Sequence, residues 1–339
     1  MTPFAIAGIQ MQVHAGRNNI EAMGQRLAVL MARFPWVQMV VFSELAPFGP
    51  LLGNAQELPG PAEDAFRALA QRYDVWLLPG SMFERTERGI FNTASVIDPR
   101  GNVVGRYRKM FPFRPYEEGV EAGTEHLLFD VPEVGRFGVS ICYDMWFPET
   151  SRTLACLGAE VILHPTMTDT IDRDVEISIA RATAVTNQCY FVDINGVGDG
   201  GVGRSIIVGP SGYVIHEARG NEESIPVEID LDRVRREREV GIRSLGQPLK
   251  SFRDRPVDFP VYRRDAQSQA YLQSLGPLAK PLRGSRAGLR AAHDVVEAVR
   301  TGEHTIAAGP VAPSAQPYEA TLASEHAPHA APAAPNQGG

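Results

Sequence analysis

Cysteine, net positive charge and long apolar runs are all scarce in this sequence. The three cysteines, Cys142, Cys156 and Cys189, are odd in number and lack close pairing, which argues against a disulfide framework and a structural zinc site. The formal net charge of −7 arises from scattered acids, so the chain has no basic footprint for a nucleic acid or an anionic membrane. We therefore expect three free thiols and neither of those partners.

Membrane and export signals are missing as well. No stretch approaches the roughly 18 to 20 apolar residues of a membrane-spanning helix. The opening MTPFAIAGIQMQVHAG has no charged start followed by a long apolar segment. A cytoplasmic location is the resulting expectation. No metal-ligand cluster and no phosphate-binding glycine loop occurs, so we expect no metal and no organic cofactor.

Alternating strand and helix patterns fill the chain to about residue 240 and indicate an α/β fold. Phe4 to Ile9, Val37 to Phe42 and Val75 to Leu78 are predicted strands. Between the first two, apolar residues from Ile20 to Met31 share one helical face. Pro61 marks the start of a second helix.

Two segments resemble each other, SVIDPRGNVVGRYR from Ser95 and SIIVGPSGYVIHEA from Ser205. Each has a Pro-x-Gly turn between apolar runs and predicts a hairpin. Hairpins interleaved with strand–helix units favour mixed sheets, and two similar halves favour two facing sheets with outer helices. We expect one domain over 1–265, a helical extension over 266–302 and a disordered Ala- and Pro-rich tail over 303–339.

Three side chains have a sequence context that suits covalent catalysis. Cys142 follows a strand-like run and precedes a helix start, a turn whose backbone N–H groups and helix dipole favour a thiolate and an oxyanion. Glu44 follows an apolar strand and can act as a partly desolvated base. Lys109 ends a hairpin strand and can supply a cation that lowers the thiol pKa. Taken singly, each residue is better explained by a structural role: Cys142 as a core thiol, Glu44 as a capping or surface acid and Lys109 as a solvated lysine of an edge strand.

The three segments in order are FSELAPFGP, YRKMFPF and SICYDMWFPE, with a Cys-x-Asp-x-x-x-Pro-Glu pattern in the last. In these motifs the sequence resembles the nitrilase (carbon–nitrogen hydrolase) superfamily, and the resemblance extends to about Asp265. It implies an α-β-β-α sandwich of two mixed sheets and a homodimer or larger homo-oligomer. It also implies hydrolysis of a small amide or N-carbamoyl compound through a cysteine thioester, which releases ammonia or an amine.

The resemblance also implies residue roles. Cys142 is the nucleophile, Glu44 the general base, Lys109 the cation beside the tetrahedral intermediate and Glu117 a supporting acid, although composition does not separate Glu117 from Glu118 and Glu121. The Tyr143 amide completes the oxyanion site. The remaining predicted substrate-binding residues are Trp146, Phe113 and Thr166.

The residues after Cys142 resemble the amidase and carbamoylase branches more than true nitrilases. Trp146 replaces an arginine common in the ω-amidase-like branch, which weakens the case for a substrate carboxylate. Phe48, Phe111 and Phe113 suggest, with Trp146, an apolar pocket wall, and Arg114 or Arg173 remains a candidate for an anionic group. A nitrilase, an acyl transferase and a catalytically silent scaffold remain as alternatives.

Overall fold

Two mixed β-sheets lie face to face in the computed structural model, which describes residues 1–263 and 266–280. Helices cover the outer side of each sheet, and the predicted α-β-β-α sandwich is confirmed. No helix in the described part of the chain has the length and apolar character needed to cross a bilayer. The predicted tail 303–339 and residues 281–302 of the predicted extension lie outside the described residues.

The first sheet has eight strands, and its main path runs in the order β17-β1-β3-β4-β6-β5. Its strands are β1 (Pro3–Gln10), β3 (Met39–Phe42), β4 (Trp76–Leu78), β5 (Met82–Thr86), β6 (Gly89–Ile97), β7 (Val103–Arg108), β8 (Val120–Glu121) and β17 (Glu223–Asp230). Strands β1, β3 and β4 are parallel, whereas β7 pairs with β6 as an antiparallel hairpin.

The second sheet runs in the order β16-β15-β12-β11-β10-β9. Its strands are β9 (Leu127–Val131), β10 (Gly135–Val139), β11 (Val161–Thr166), β12 (Tyr190–Asn195), β15 (Ile206–Val208) and β16 (Val214–Glu217). Strands β10, β11 and β12 are parallel. A small third sheet joins β2 (Gln12–Val13), β13 (Val197–Gly198) and β14 (Gly201–Val202). The predicted hairpins are the β6–β7 and β15–β16 pairs, one in each large sheet.

Six helices belong to the unit that contains the sheets: α1 (Ile20–Arg33), α2 (Pro61–Tyr73), α3 (Pro148–Cys156), α4 (Asp172–Asn187), α5 (Leu231–Val240) and α6 (Pro248–Asp254). Short 3-10 turns cover Leu52–Asn54, Cys142–Trp146 and Pro260–Tyr262. Helix α7 (Ala266–Ser274) belongs to a second unit. Pro61 opens α2 as predicted, where its missing N–H needs no partner.

Apolar burial accounts for the four layers. Met23, Leu27 and Leu30 recur at helical spacing on α1 and pack, together with α2, on the outer face of the first sheet. Helices α3 and α4 cover the second sheet in the same way. Phe4 and Phe137 meet in the core between the sheets. Parallel strands at the centre of each sheet place their carboxyl ends at one common edge, where open α/β folds build their sites.

We expect Gly80→Ala to destabilise the protein by about 2–4 kcal/mol. Gly80 has a φ of +78°, and an added Cβ would lie 1.8 Å from the carbonyl oxygen of Ser43, so the backbone beside Glu44 has to move. Denaturant unfolding measures the change. Gly16→Ala is the matched control, because a Cβ there meets nothing within 4 Å. A Gly80→Ala protein as stable as the control would contradict this account of the edge.

Candidate active site

Glu44 lies two residues beyond the carboxyl end of β3, at the edge shared by both sheets. Its N–H donates to the carbonyl of Thr166 at the end of β11, at 3.2 Å, and so links the two sheets. The next residue, Leu45, has a φ of +53°, and its N–H donates to the Ser81 hydroxyl. The turn therefore holds the Glu44 carboxyl buried, with only 1% of the residue exposed.

Lys109 follows β7 and is as deeply buried as Glu44. Its Nζ donates to Glu44 Oε1 at 2.8 Å and to Glu117 Oε2 at 2.9 Å. Asn92 on β6 also donates to Glu44 Oε1, at 2.8 Å. Two donors thus hold Glu44 Oε1, whereas the Cys142 thiol donates to the Met167 carbonyl at 3.9 Å and lies close enough to Glu44 to lower the pKa of its carboxyl.

Cys142 begins the 3-10 turn after β10, as the sequence predicted for a strand-to-helix junction. Its φ of +47° is rare for a residue with a side chain and costs about 1–3 kcal/mol. The amides of Cys142 and Tyr143 are the first two of the turn, so neither has a partner within it. Those N–H groups are available to an oxygen bound beside the thiol.

Asp144 fastens this turn to the segment that carries Lys109. One carboxyl oxygen accepts from the Ile141 N–H at 2.9 Å and from the Tyr107 hydroxyl at 2.6 Å. The other accepts from the Phe111 N–H at 2.9 Å. Burial raises the pKa of Asp144 to about 6. The bonds join β10 of the second sheet to β7 of the first.

Burial dominates the electrostatics of the site. It raises the pKa of Glu44 to about 7, with Lys109 opposing the rise and Glu117 adding to it. Burial and the Glu44 charge raise the pKa of the Cys142 thiol well above its usual range. Burial alone lowers the pKa of Lys109, but its acidic neighbours raise it well above the usual value. The resting site therefore pairs a neutral thiol with an ammonium. Lys109 does lower the thiol pKa as expected, but burial and the Glu44 charge outweigh it.

These side chains open into one cavity of about 380 Å³. Among the predicted site residues, Glu44, Lys109, Cys142, Glu117, Tyr143, Trp146 and Phe113 line it. Thr166 does not: it is fully buried at the end of β11, and Met167 and Thr168 beyond the strand line the wall instead. The predicted set is thus brought together except for Thr166.

The anion-binding candidates also lie outside the cavity wall. The guanidinium of Arg173 is buried and pairs with Glu176 and Asp193. Arg114 donates to the Val120 carbonyl. Of the aromatic candidates, Phe111 stacks on Phe147 and Phe48 packs with the α1–α2 layer.

Sequence reasoning missed Asn92, Asp144 and Glu176 as parts of the site. Asp144 lies inside the Cys-x-Asp pattern, which was a usable signal, whereas Asn92 and Glu176 have no local motif. Within residues 1–263 and 266–280, no group of three or more His, Cys, Asp or Glu side chains is arranged to hold a metal ion.

Comparison with known proteins gives one consistent family. The model of the carbon-nitrogen hydrolases matches residues 5–239. A nitrilase of Pyrococcus abyssi is 34% identical over 232 residues, which cover 64% of this chain and 85% of that protein. An N-carbamoylputrescine amidase of Solanum lycopersicum is 31% identical over 210 residues, or 55% of this chain and 70% of that one. The crystal structure of a carbon-nitrogen hydrolase from Helicobacter pylori G27 superposes with a TM-score of 0.65 at 26% identity, covering 76% and 97% of the two chains.

We expect Lys109→Met to destabilise the protein by about 3–5 kcal/mol at about pH 8, because it leaves two carboxylates of the buried cluster without their cation. Without the ammonium, the pKa of Glu44 rises further. A carboxyl whose pKa is raised in the folded protein destabilises that protein at higher pH, and the loss shrinks as the pH falls below the raised pKa and the carboxyl takes up its proton. Part of the loss should therefore be recovered at about pH 5. Denaturant unfolding at both pH values tests this, with the exposed Lys280→Met as control. Equal losses for the two variants would exclude the buried charge network.

Proposed function

This chain belongs to the carbon–nitrogen hydrolase family, and we propose that it hydrolyses a small amide or N-carbamoyl compound through a thioester on Cys142. The observation that carries the proposal is the meeting of a thiol, a carboxyl of pKa about 7 and a buried ammonium in one cavity. The N-carbamoylputrescine amidase among its relatives supports carbamoyl compounds within the substrate class.

Acylation uses all three of these groups. Glu44 takes the proton of the Cys142 thiol as the sulfur attacks the carbonyl carbon, so the thiolate forms only during attack. The oxygen becomes an anion held by the Lys109 ammonium and the Tyr143 N–H. The C–N bond then breaks while Glu44 returns the proton to the leaving nitrogen. Ammonia or an amine departs, and the acyl group remains on sulfur.

Deacylation repeats the cycle with water. Glu44 removes a proton from water, the hydroxyl adds to the thioester carbon, and the C–S bond breaks as the sulfur regains its proton from Glu44. Glu117 keeps Lys109 in place and in its charged form through both steps. An amine that enters in place of water would give acyl transfer through the same thioester. The homo-oligomer and the cytoplasmic location implied by the sequence stay predictions.

Cys142→Ala should abolish hydrolysis, because no other group in the cavity supplies the sulfur nucleophile. Ammonia release from a panel of small amides, N-carbamoyl amines, N-carbamoyl amino acids and nitriles is the measurement. Cys156→Ala is the matched control, since Cys156 is exposed and outside the cavity. Activity surviving in Cys142→Ala would overturn the mechanism. Silence of the unmodified protein across the panel would favour a scaffold, and nitriles outpacing the matching amides would favour a nitrilase.

The pH profile should report the ionisation of Glu44. Only the ionised carboxyl accepts the thiol proton, so kcat/KM should fall about tenfold per pH unit below the Glu44 pKa of about 7. Glu117→Gln removes a charge that raises this pKa, and the acid limb should move to lower pH. Glu118→Gln, one residue away, is the control for a general change of charge. An acid limb that stays in place in Glu117→Gln would argue against Glu44 as the titrating base.

A further inference from the structure

Acidic side chains outnumber basic ones in the wall of the active-site cavity. Its carboxyl-bearing residues are Glu44, Glu117, Glu118, Asp169, Asp172 and Glu176. Among the residues that the structure describes, Lys109 is the only basic side chain in this wall, and Glu44 and Glu117 already bind it. The other four carboxyls have no cation within the cavity. Outside the Lys109 cluster, the cavity wall therefore carries an excess of negative charge.

Glu176 is the buried part of this charge, with 3% of the residue exposed. Its ion pair with Arg173, at 3.2 Å, is shared, because the same guanidinium nitrogen lies 2.9 Å from Asp193. One cation thus serves two buried carboxylates. The other carboxyl oxygen of Glu176 lies 3.5 Å from Trp146 Nε1 at the cavity wall. A cation in the cavity would complete the neutralisation of this group.

Asp169 and Asp172 extend the charge toward the cavity mouth. Asp169 is exposed in the loop after β11, and Asp172 is the first residue of α4. A helix amino terminus alone favours an anionic ligand. Here the Asp172 carboxylate itself supplies the negative charge that stabilises the amino terminus of α4, so this part of the cavity wall is negative. A substrate carboxylate would meet like charge at this end.

Aromatic rings line the same cavity. Tyr143 lies between Phe113 and Trp146, with ring centroids 4.9 and 6.1 Å away. The faces of such rings attract cations, and the attraction grows as water is excluded. Carboxylates beside aromatic faces bind ammonium and guanidinium groups well, whereas the same carboxylates repel a carboxylate on the ligand. Charge and ring chemistry in the cavity favour the same class of ligand.

We infer that the substrate is an amide or N-carbamoyl compound with a positively charged group, an ammonium or a guanidinium, at the end away from the scissile bond. Asp169, Asp172 and Glu176 bind that group beside Trp146, and the scissile carbonyl lies at Cys142. The inference rests on the proposed function, because it assigns the substrate of the same cavity. It makes the three acids specificity-determining residues.

Three amides that share one alkyl chain and differ only at the far end, as ammonium, methyl or carboxylate, test the inference. We expect kcat/KM to be roughly ten- to hundredfold higher for the ammonium than for the methyl compound, and lowest for the carboxylate. Added salt should shrink the difference, because ions screen the exposed part of the attraction. Equal rates, or a preference for methyl or carboxylate, would overturn the inference while the proposed function stands. No hydrolysis of any of the three, nor of the three matching N-carbamoyl compounds, would overturn both.

The double variant Asp169→Asn with Asp172→Asn locates the recognition. The ratio of kcat/KM for ammonium over methyl should fall about tenfold, because two carboxylates at the far end become neutral. Asp174→Asn is the control: it removes one carboxylate charge from α4, but Asp174 pairs with Arg204 and does not line the cavity. A ratio that falls equally in the control would show a long-range charge effect and overturn the assignment to Asp169 and Asp172.

Discussion

Burial of the Lys109 ammonium is the constraint on which the site depends. Removing such an ion from water costs several kcal/mol unless opposite charges and hydrogen bonds surround it. Glu44 and Glu117 supply them from the end of β3 and from the loop that follows Lys109. Asn92 on β6 then holds the shared oxygen of Glu44. The hairpin, the parallel strands and the loop of the first sheet must therefore keep one arrangement.

The second sheet brings the reactive thiol to that charge cluster. Asp144 ties the Cys142 turn to Tyr107 and Phe111, and the Glu44 N–H reaches the end of β11. These contacts hold Cys142 at a positive φ that an isolated turn would not keep. The low dielectric of the buried site then keeps the thiol protonated at rest and raises the pKa of the Glu44 carboxyl to about 7. Burial thus favours the two states that the proposed mechanism needs, a thiol that still holds its proton and a carboxyl able to accept it.

Two parts of the cavity wall differ in charge. Around Lys109, one cation and two carboxylates are matched, and in the proposed mechanism the ammonium holds the oxygen of the tetrahedral intermediate. Around Trp146 and Glu176, negative charge is in excess, and the ligand group proposed for this part is a cation. Under these proposals, Asp169 and Asp172 select the substrate, whereas Cys142 carries the bond cleavage.

Sequence alone determined the parts of this protein that depend on neighbours along the chain. These parts are local patterns: the periodicity of α1, the Pro61 helix start, both Pro-x-Gly hairpins and the motifs around Glu44, Lys109 and Cys142. Together they imply the layered α/β fold.

Tertiary structure decided what depends on partners far apart in sequence. The assembled fold lets Asn92 donate to Glu44 and pairs Arg173 with Asp193. It also places Thr168, and not the predicted Thr166, in the cavity wall, and it brings Glu176 beside Trp146. Strand register and sheet packing set those distances, and desolvation outweighed the expected lowering of the thiol pKa by Lys109. No local pattern encodes either, because both depend on the whole assembled core.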